Sequence, residues 1–124
     1  MRSEDVRYFT PIEEELVAIL VDLGLKKSAA KALIYLAHTK EATSHEIERC
    51  TDLRQSEVSL AVKYLWEHGW ITHHENNAGS QGRPVKIYKL ATPLTHIIDT
   101  IEKEKMTEVT TTLNRIKELR GYTL

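Results

Sequence analysis

The sequence lacks the features that define several broad classes of protein. Cys50 is the only cysteine among 124 residues, which excludes an internal disulfide framework and fits a reducing compartment. No apolar run approaches the ~18 residues that a membrane-spanning helix needs. Residues 1–5 show no signal-peptide pattern. We therefore expect a cytoplasmic protein that is not attached to a membrane.

Patterns typical of enzymes and metalloproteins are missing as well. The sequence has no glycine-rich phosphate loop, no convincing Ser/His/Asp set and no carboxylate pair at informative positions. His73 and His74 are adjacent, so on a strand their side chains would point to opposite faces. His45 and Cys50 are five residues apart on a short predicted helix, which is a poor spacing for metal ligands. The sequence therefore predicts no enzymatic activity, no cofactor and no metal site.

The chain as a whole has no excess of positive charge. The formal net charge is −1, which taken alone argues mildly against a nucleic-acid-binding protein. The charge is unevenly distributed, however. Residues 1–25 contain two basic and six acidic side chains, whereas residues 54–92 contain five basic and three acidic ones. The acidic excess therefore belongs to the N-terminal end, and the middle of the chain is mildly basic.

The composition that is present suits one globular domain, with 41% hydrophobic and 28% charged residues. Thr10 with Glu13, and Thr43 with Glu46, have the spacing of capping boxes. Ser28 is a candidate cap for a helix between them, and Gly69 is a stop signal. Periodic apolar residues between such signals predict five helices, at about residues 11–23, 29–39, 43–50, 54–68 and 93–120.

Two segments after Gly69 have the composition of β-strands. Residues 70–74 and 85–90 are rich in aromatic and β-branched side chains, and residues 76–84 between them are a cluster of turn formers. This pattern predicts a β-hairpin with a long tip. Trp66 and Trp70 are expected to anchor the hairpin against the helices, with a ligand pocket lined by both as the alternative.

A tight pair of helices followed by a hairpin is the order of elements in a winged helix-turn-helix. In that arrangement the second helix fills a DNA major groove and the hairpin, or wing, reaches the flanking backbone. The predicted fold is therefore mainly α with a β-hairpin wing. We expect residues 1–92 to form the DNA-binding domain and residues 93–124 a long C-terminal dimerisation helix.

The predicted recognition helix has one apolar and one polar face. Val58, Ala61, Val62 and Leu65 recur at helical spacing and predict the buried face. Gln pairs with adenine, Arg with guanine, and Ser with phosphate or base edges. The alternative interpretation of this helix is an ordinary amphipathic helix that does not bind DNA. The alternative for the wing tip is a solvated loop. The candidate DNA contacts are Arg54, Gln55, Ser56, Ser59 and Lys63 on the helix, and Ser80, Gln81, Arg83 and Lys86 on the wing.

Residues 23–71 resemble the winged-helix regulators of the TrmB and MarR type, especially those of archaea. The segments that carry the resemblance are Leu23-Gly24-Leu25, Ala30–Ala37, Ser44–Ile71 and the wing strand Gly82–Leu90. The resemblance implies the winged-helix fold and a DNA-binding role. It implies that Thr43 and Ser44 contact phosphate from the N-terminus of the preceding helix. It places the groove-facing side chains at Arg54, Gln55, Ser56, Ser59 and Lys63.

The last predicted helix is too long for so small a domain to cover. A helix of ~27 residues is ~40 Å long, and its apolar stripe is most economically covered by a second copy of the chain. The first helix is a plausible second layer of this interface, and packing back onto its own domain is the alternative. The candidate dimerisation residues are Leu16, Leu20, Leu94, Ile98, Ile101, Val109, Leu113 and Ile116.

The expected function is a homodimeric transcriptional regulator that binds double-stranded DNA. Two other functions stay open. In one, the outward face of the winged helix binds another protein. In the other, the chain is a repressor that responds to an unknown small-molecule effector or a metal. Steep weakening of DNA binding by salt would favour the DNA-binding regulator over the protein-binding alternative.

Overall fold

A computed structural model of the chain describes residues 9–76 and 84–122. Contacts divide the chain into two compact units, Met1–Thr92 and Pro93–Leu124. In the described ranges, no helix has both the length and the apolar character needed to cross a membrane. The elements in chain order are α1 (Pro11–Asp22), α2 (Lys27–Thr39), β1 (Glu41–Thr43), α3 (Ser44–Thr51), α4 (Gln55–Glu67), β2 (Ile71–Asn76), β3 (Val85–Leu90) and α5 (Leu94–Gly121).

The starts of α1 and α3 follow directly from local sequence. The Thr10 hydroxyl accepts a hydrogen bond from the Glu13 N–H at 3.1 Å, and the Glu13 carboxylate accepts one from the Thr10 N–H at 2.9 Å. Thr43 and Glu46 exchange the same two bonds, at 3.1 and 2.8 Å. Each pair satisfies two backbone donors that a helix start otherwise leaves without a partner. Both predicted capping boxes are confirmed.

Two other helix starts differ from the prediction. α2 begins at Lys27, so Ser28 lies inside the helix and does not cap it, and no side chain caps this end. The chain turns at Gly24, whose φ is 111°, and Leu25 is buried immediately afterwards. A glycine turn and a buried leucine, rather than a capping side chain, therefore precede this helix start. α5 begins after Pro93 rather than after Thr92, since the Pro93 carbonyl accepts the first intrahelical bonds.

The sheet has one strand more than the predicted hairpin. β2 and β3 pair antiparallel, with His73 opposite Tyr88, and the short strand β1 pairs with the other edge of β3, with Thr43 opposite Ile87. The strand order is therefore β1-β3-β2. Three residues are too few to show the alternation that identifies a strand in a sequence. Thr43 ends β1 and caps α3, so the start of α3 is joined directly to the wing sheet.

The core of the first unit fixes the orientation of α4. Leu33 and Leu36 of α2, Ile47 of α3, and Val58 and Leu65 of α4 are almost wholly buried. Burying a side chain of this size stabilises the fold by roughly 1.5–3 kcal/mol. The predicted buried face of α4 is thus confirmed, although Val62 is only half-buried. Because these contacts hold one face inward, the opposite face of α4 is presented to solvent.

The second unit is one helix, α5, of 28 residues, about 42 Å long. Ile97 and Ile101 near its start are buried. Further along, Lys105 pairs with Glu108 at 3.2 Å and Arg115 with Glu118 at 2.8 Å on the helix surface. Among the described residues beyond Ile101, the large apolar side chains are exposed in the single chain, namely Met106, Val109, Leu113, Ile116, Leu119 and Tyr122.

Candidate nucleic-acid interface

A short turn, residues 52–54, joins α3 to α4. Asp52 caps the C-terminus of α3 in the left-handed conformation, with φ 58° and ψ 39°, a conformation that Asp tolerates better than most residues. Leu53 follows and is buried. The Lys31 ammonium, from α2, donates to the Thr51 carbonyl at 3.4 Å. The turn is therefore held by a backbone cap, a buried side chain and a contact from a neighbouring helix.

The N-terminal end of α4 presents three of the predicted DNA contacts. The Arg54 N–H donates to the Glu57 carboxylate at 2.8 Å. A guanidinium has no acceptor atom, so the Arg54 side chain cannot cap the helix in the way that Ser or Thr would. The side chains of Arg54, Gln55 and Ser56 are exposed. They extend from the end of the helix that usually meets base edges in helix-turn-helix proteins.

Four more predicted contacts line a common groove between α4 and the wing strands, here called the α4–wing groove. Ser44 of α3, Ser59 and Lys63 of α4, and Lys86 of β3 border this groove, whose volume is about 330 Å³. In the described part of the chain, neither lysine forms an ion pair. Two cations and two hydroxyls so arranged offer the charge-assisted hydrogen bonds that a phosphate accepts.

Thr43 lies next to this groove at the start of α3, with its hydroxyl already used as an acceptor by the Glu46 N–H. A hydroxyl has one hydrogen to donate in addition to its lone pairs. Thr43 can therefore cap the helix and donate to a phosphate at the same time. The remaining predicted contacts, Ser80, Gln81 and Arg83, fall outside the described residues, so Lys86 is the wing residue placed by the structure.

The rings of Trp66, His73 and Tyr88 also line the α4–wing groove, and sequence reasoning did not assign them to the nucleic-acid interface. The rings of Trp66 and His73 lie 4.9 Å apart, and those of His73 and Tyr88 lie 5.7 Å apart. This aromatic cluster joins α4 to both wing strands. Since His73 and Tyr88 are paired only through the hairpin register, their proximity has no signal in the local sequence.

The two tryptophans differ in their environments. Trp70 is buried, with its ring 4.6 Å from His68 and 6.2 Å from Tyr64. Trp66 is 49% exposed and contacts the wing through His73. Nδ1 of His73 is buried and has no hydrogen-bond partner among the described residues. The aromatic cluster therefore contains a buried polar atom to which no described residue forms a hydrogen bond.

The predicted dimerisation residues divide between exposed and buried positions. Leu20 and Ile101 are buried, and Leu94 is half-buried. The exposed members are Leu16, Ile98, Val109, Leu113 and Ile116. Residues 9–76 and 84–122 contain no group of three or more His, Cys, Asp or Glu side chains that could hold a metal ion.

A helix-turn-helix whose second helix is flanked by antiparallel strands defines a winged helix-turn-helix protein. The chain belongs to the TrmB family: residues 20–94 match the family model described as the sugar-specific transcriptional regulator TrmB. The predicted fold class and family are therefore confirmed. None of the curated proteins compared with the chain matches it.

Solved structures with low sequence identity share this fold. A protein described as a possible transcriptional regulator from Methanosarcina mazei Go1 aligns at 20% identity, covering 85% of this chain and 86% of its own, with a TM-score of 0.66. The archaeal chromatin protein TrmBL2 aligns at 15% identity with a TM-score of 0.69, covering 87% of this chain and 38% of its own. The multiple antibiotic resistance repressor MarR aligns at 16% identity with a TM-score of 0.54, covering 84% of this chain and 74% of its own.

Proposed function

We propose that the protein is a sequence-specific DNA-binding transcriptional regulator that acts as a homodimer. Residues 54–68 enter the major groove, and residues 76–86 lie on the flanking backbone. The observation that carries the proposal is the α4–wing groove, which Lys63 and Lys86 border and where neither lysine forms an ion pair with a described residue. No catalytic role is needed for this function.

The residues divide by what they can recognise. The Arg54 guanidinium can donate two hydrogen bonds to the edge of guanine. The Gln55 amide can donate one hydrogen bond to the edge of adenine and accept another from it. Lys63, Lys86 and the hydroxyls at the start of α3 are suited to contacts with phosphate. Such contacts fix the register and orientation of the protein on the DNA but carry no sequence information directly. The archaeal chromatin protein TrmBL2, which shares this fold, shows a novel mode of DNA binding, and this supports a nucleic-acid partner here.

The exposed apolar row of α5 supports the homodimer. Val109, Leu113 and Ile116 lie on one side of α5, and all three are exposed in the described part of the single chain. A second copy of the same helix covers such a row symmetrically. The dimer then presents two copies of α4, which bind half-sites about one DNA turn apart. Because the net charge is only −1, useful affinity depends on both copies and on base contacts.

Selection from a random DNA pool tests the proposal, since it reads sequence preference and half-site spacing together. Fluorescence anisotropy on the selected sequence then measures affinity as a function of salt. We expect Lys63→Ala and Lys86→Ala each to weaken binding, and each lost phosphate contact to reduce the slope of log K against log salt by about 0.9. Lys103→Ala is the matched control, because Lys103 is an exposed lysine away from the apolar row of α5.

Two results would contradict the proposal. One is a pool from which no sequence is enriched. The other is a double variant, Lys63→Ala with Arg83→Ala, that binds the selected DNA as tightly as the unmodified chain does. Binding that is insensitive to salt would favour a protein partner for the outward face of α4 instead.

A further inference from the structure

α4 has one exposed apolar side chain that neither the core nor the α4–wing groove accounts for. The structure describes this helix over its whole length, and two of its large apolar residues are exposed, Leu60 at 62% and Trp66 at 49%. The Trp66 ring lies 4.9 Å from the His73 ring of the wing. Leu60 does not line the α4–wing groove. Its position on the helix therefore decides what it can contact.

Leu60 lies on the face of α4 that points away from the core. It is about 160° around the helix from Val58 and about 140° from Leu65, and both of these residues are buried. It follows Ser56 by four residues and precedes Lys63 by three, so these three side chains share one face. All three are exposed. Leu60 therefore stands between two of the side chains proposed as DNA contacts.

Leu60 also lies in the part of α4 that meets base edges in helix-turn-helix proteins. It is about 8 Å, or about one and a half turns, beyond Gln55 along the helix. The N-terminal residues of a recognition helix make the base contacts. One exposed leucine is ordinary in a soluble protein. What distinguishes Leu60 is that DNA bound to Gln55 and Lys63 would also cover it.

The chemistry of the major groove limits what a leucine can read. Base edges there present hydrogen-bond donors and acceptors, and the C5-methyl group of thymine is the apolar group among them. A leucine side chain has neither a donor nor an acceptor. Over a donor or an acceptor it would displace water without replacing the hydrogen bond, which is unfavourable. Over a methyl group, both apolar surfaces leave water together, which is favourable.

We propose that Leu60 selects a thymine in each half-site by contacting its C5-methyl group, an inference that rests on the proposed function. The contact adds sequence information that a phosphate contact of Lys63 does not supply. It differs from the contacts of Arg54 and Gln55 because it reads an apolar group and not a pattern of donors and acceptors. Removal of one methyl group from water changes affinity by about fourfold. Thymine is therefore preferred by about that factor over a pyrimidine that lacks the methyl group.

Uracil substitution tests the contact, since uracil lacks the C5-methyl group of thymine and pairs with adenine in the same way. Each thymine of one half-site in the selected DNA is replaced in turn by 2′-deoxyuridine, and fluorescence anisotropy measures the affinity of the full chain. We expect at least one position at which the replacement weakens binding about fourfold. Replacement of thymines outside the contact should leave the affinity unchanged.

Protein variants show whether Leu60 is the residue responsible. Leu60→Ala loses the contact in both half-sites, so it should bind the selected DNA roughly fifteenfold more weakly and no longer distinguish thymine from uracil at that position. Leu60→Met keeps an apolar side chain of similar size and should retain most of the preference. Ile12→Ala is the control, because Ile12 is exposed on α1 and is not among the proposed DNA contacts. Thermal unfolding checks that the variants are folded, since Ala and Met are both good helix formers.

Two results would overturn the inference. One is selected DNA in which no uracil replacement weakens binding of the unmodified chain. The other is an equal loss on replacement in the unmodified chain and in Leu60→Ala, because the methyl group would then act through the DNA or through another residue. In both cases a sequence is still enriched from the random pool, whereas failure of the proposed function leaves no sequence enriched.

Discussion

Replacing His73 by Phe is expected to stabilise the protein. Nδ1 of His73 is buried without a partner among the described residues, between the rings of Trp66 and Tyr88. An unsatisfied buried polar group costs about 1–3 kcal/mol. Phe removes that atom and keeps a flat ring in the aromatic cluster, where each ring pair contributes about 0.5–1.5 kcal/mol.

The expected gain lies near the lower end of that range. A neutral imidazole can place its hydrogen on the other nitrogen, so that Nδ1 loses an acceptor interaction rather than burying an unpaired N–H. The larger phenyl ring also requires small adjustments in Trp66 and Tyr88. We therefore expect about 1 kcal/mol of additional stability, or about 4 °C in Tm for a chain of this size.

Thermal unfolding followed by circular dichroism measures this change, at one protein concentration because self-association shifts Tm. His74→Phe is the matched control. His74 is the next residue in β2 and is exposed, so its replacement should change stability by less than about 0.5 kcal/mol. A Tm for His73→Phe equal to or below that of the unmodified chain would refute the reasoning, because it would mean that Nδ1 makes a favourable interaction.

Two further predictions concern the start of α3 and the apolar row of α5. Thr43→Ala removes a helix cap and should cost about 1 kcal/mol of stability in urea denaturation. Thr43→Ser keeps the hydroxyl and should retain most of that stability. Equal losses in both variants would show that the hydroxyl is not the cause. Leu113→Asp places a charge in the apolar row and should convert the proposed dimer into a monomer in light scattering after size exclusion. Asn114→Asp, about 100° further around the helix, should leave the dimer intact, and a dimeric Leu113→Asp protein would exclude this row as the interface.

Local signals predicted the elements whose ends are fixed by neighbouring residues. Thr10 and Thr43 form hydrogen bonds within three residues of themselves, so their sequences contain the information that starts α1 and α3. Lys27 begins α2 without a side-chain cap, so no local capping signal marks where that helix starts. A three-residue strand such as β1 is equally invisible, since its partner lies more than forty residues away.

The same distinction applies to the candidate site. The exposed face of α4 was predictable, because the buried face is set by helical periodicity. The α4–wing groove was only partly predictable, since Ser44 and Lys86 meet through the pairing of β1 with β3. The aromatic cluster depends on the hairpin register and on the packing of Trp66, which no local pattern of the sequence specifies.

The junction between β1 and α3 contains no spare residue. Thr43 pairs with Ile87 across the sheet and also caps α3 through the Glu46 N–H. An extra residue inserted after Thr43 would separate these two roles, so either the strand pairing or the cap would be lost. Insertions and deletions at this point should therefore be strongly selected against, and natural variation in length should accumulate at other connections of the domain.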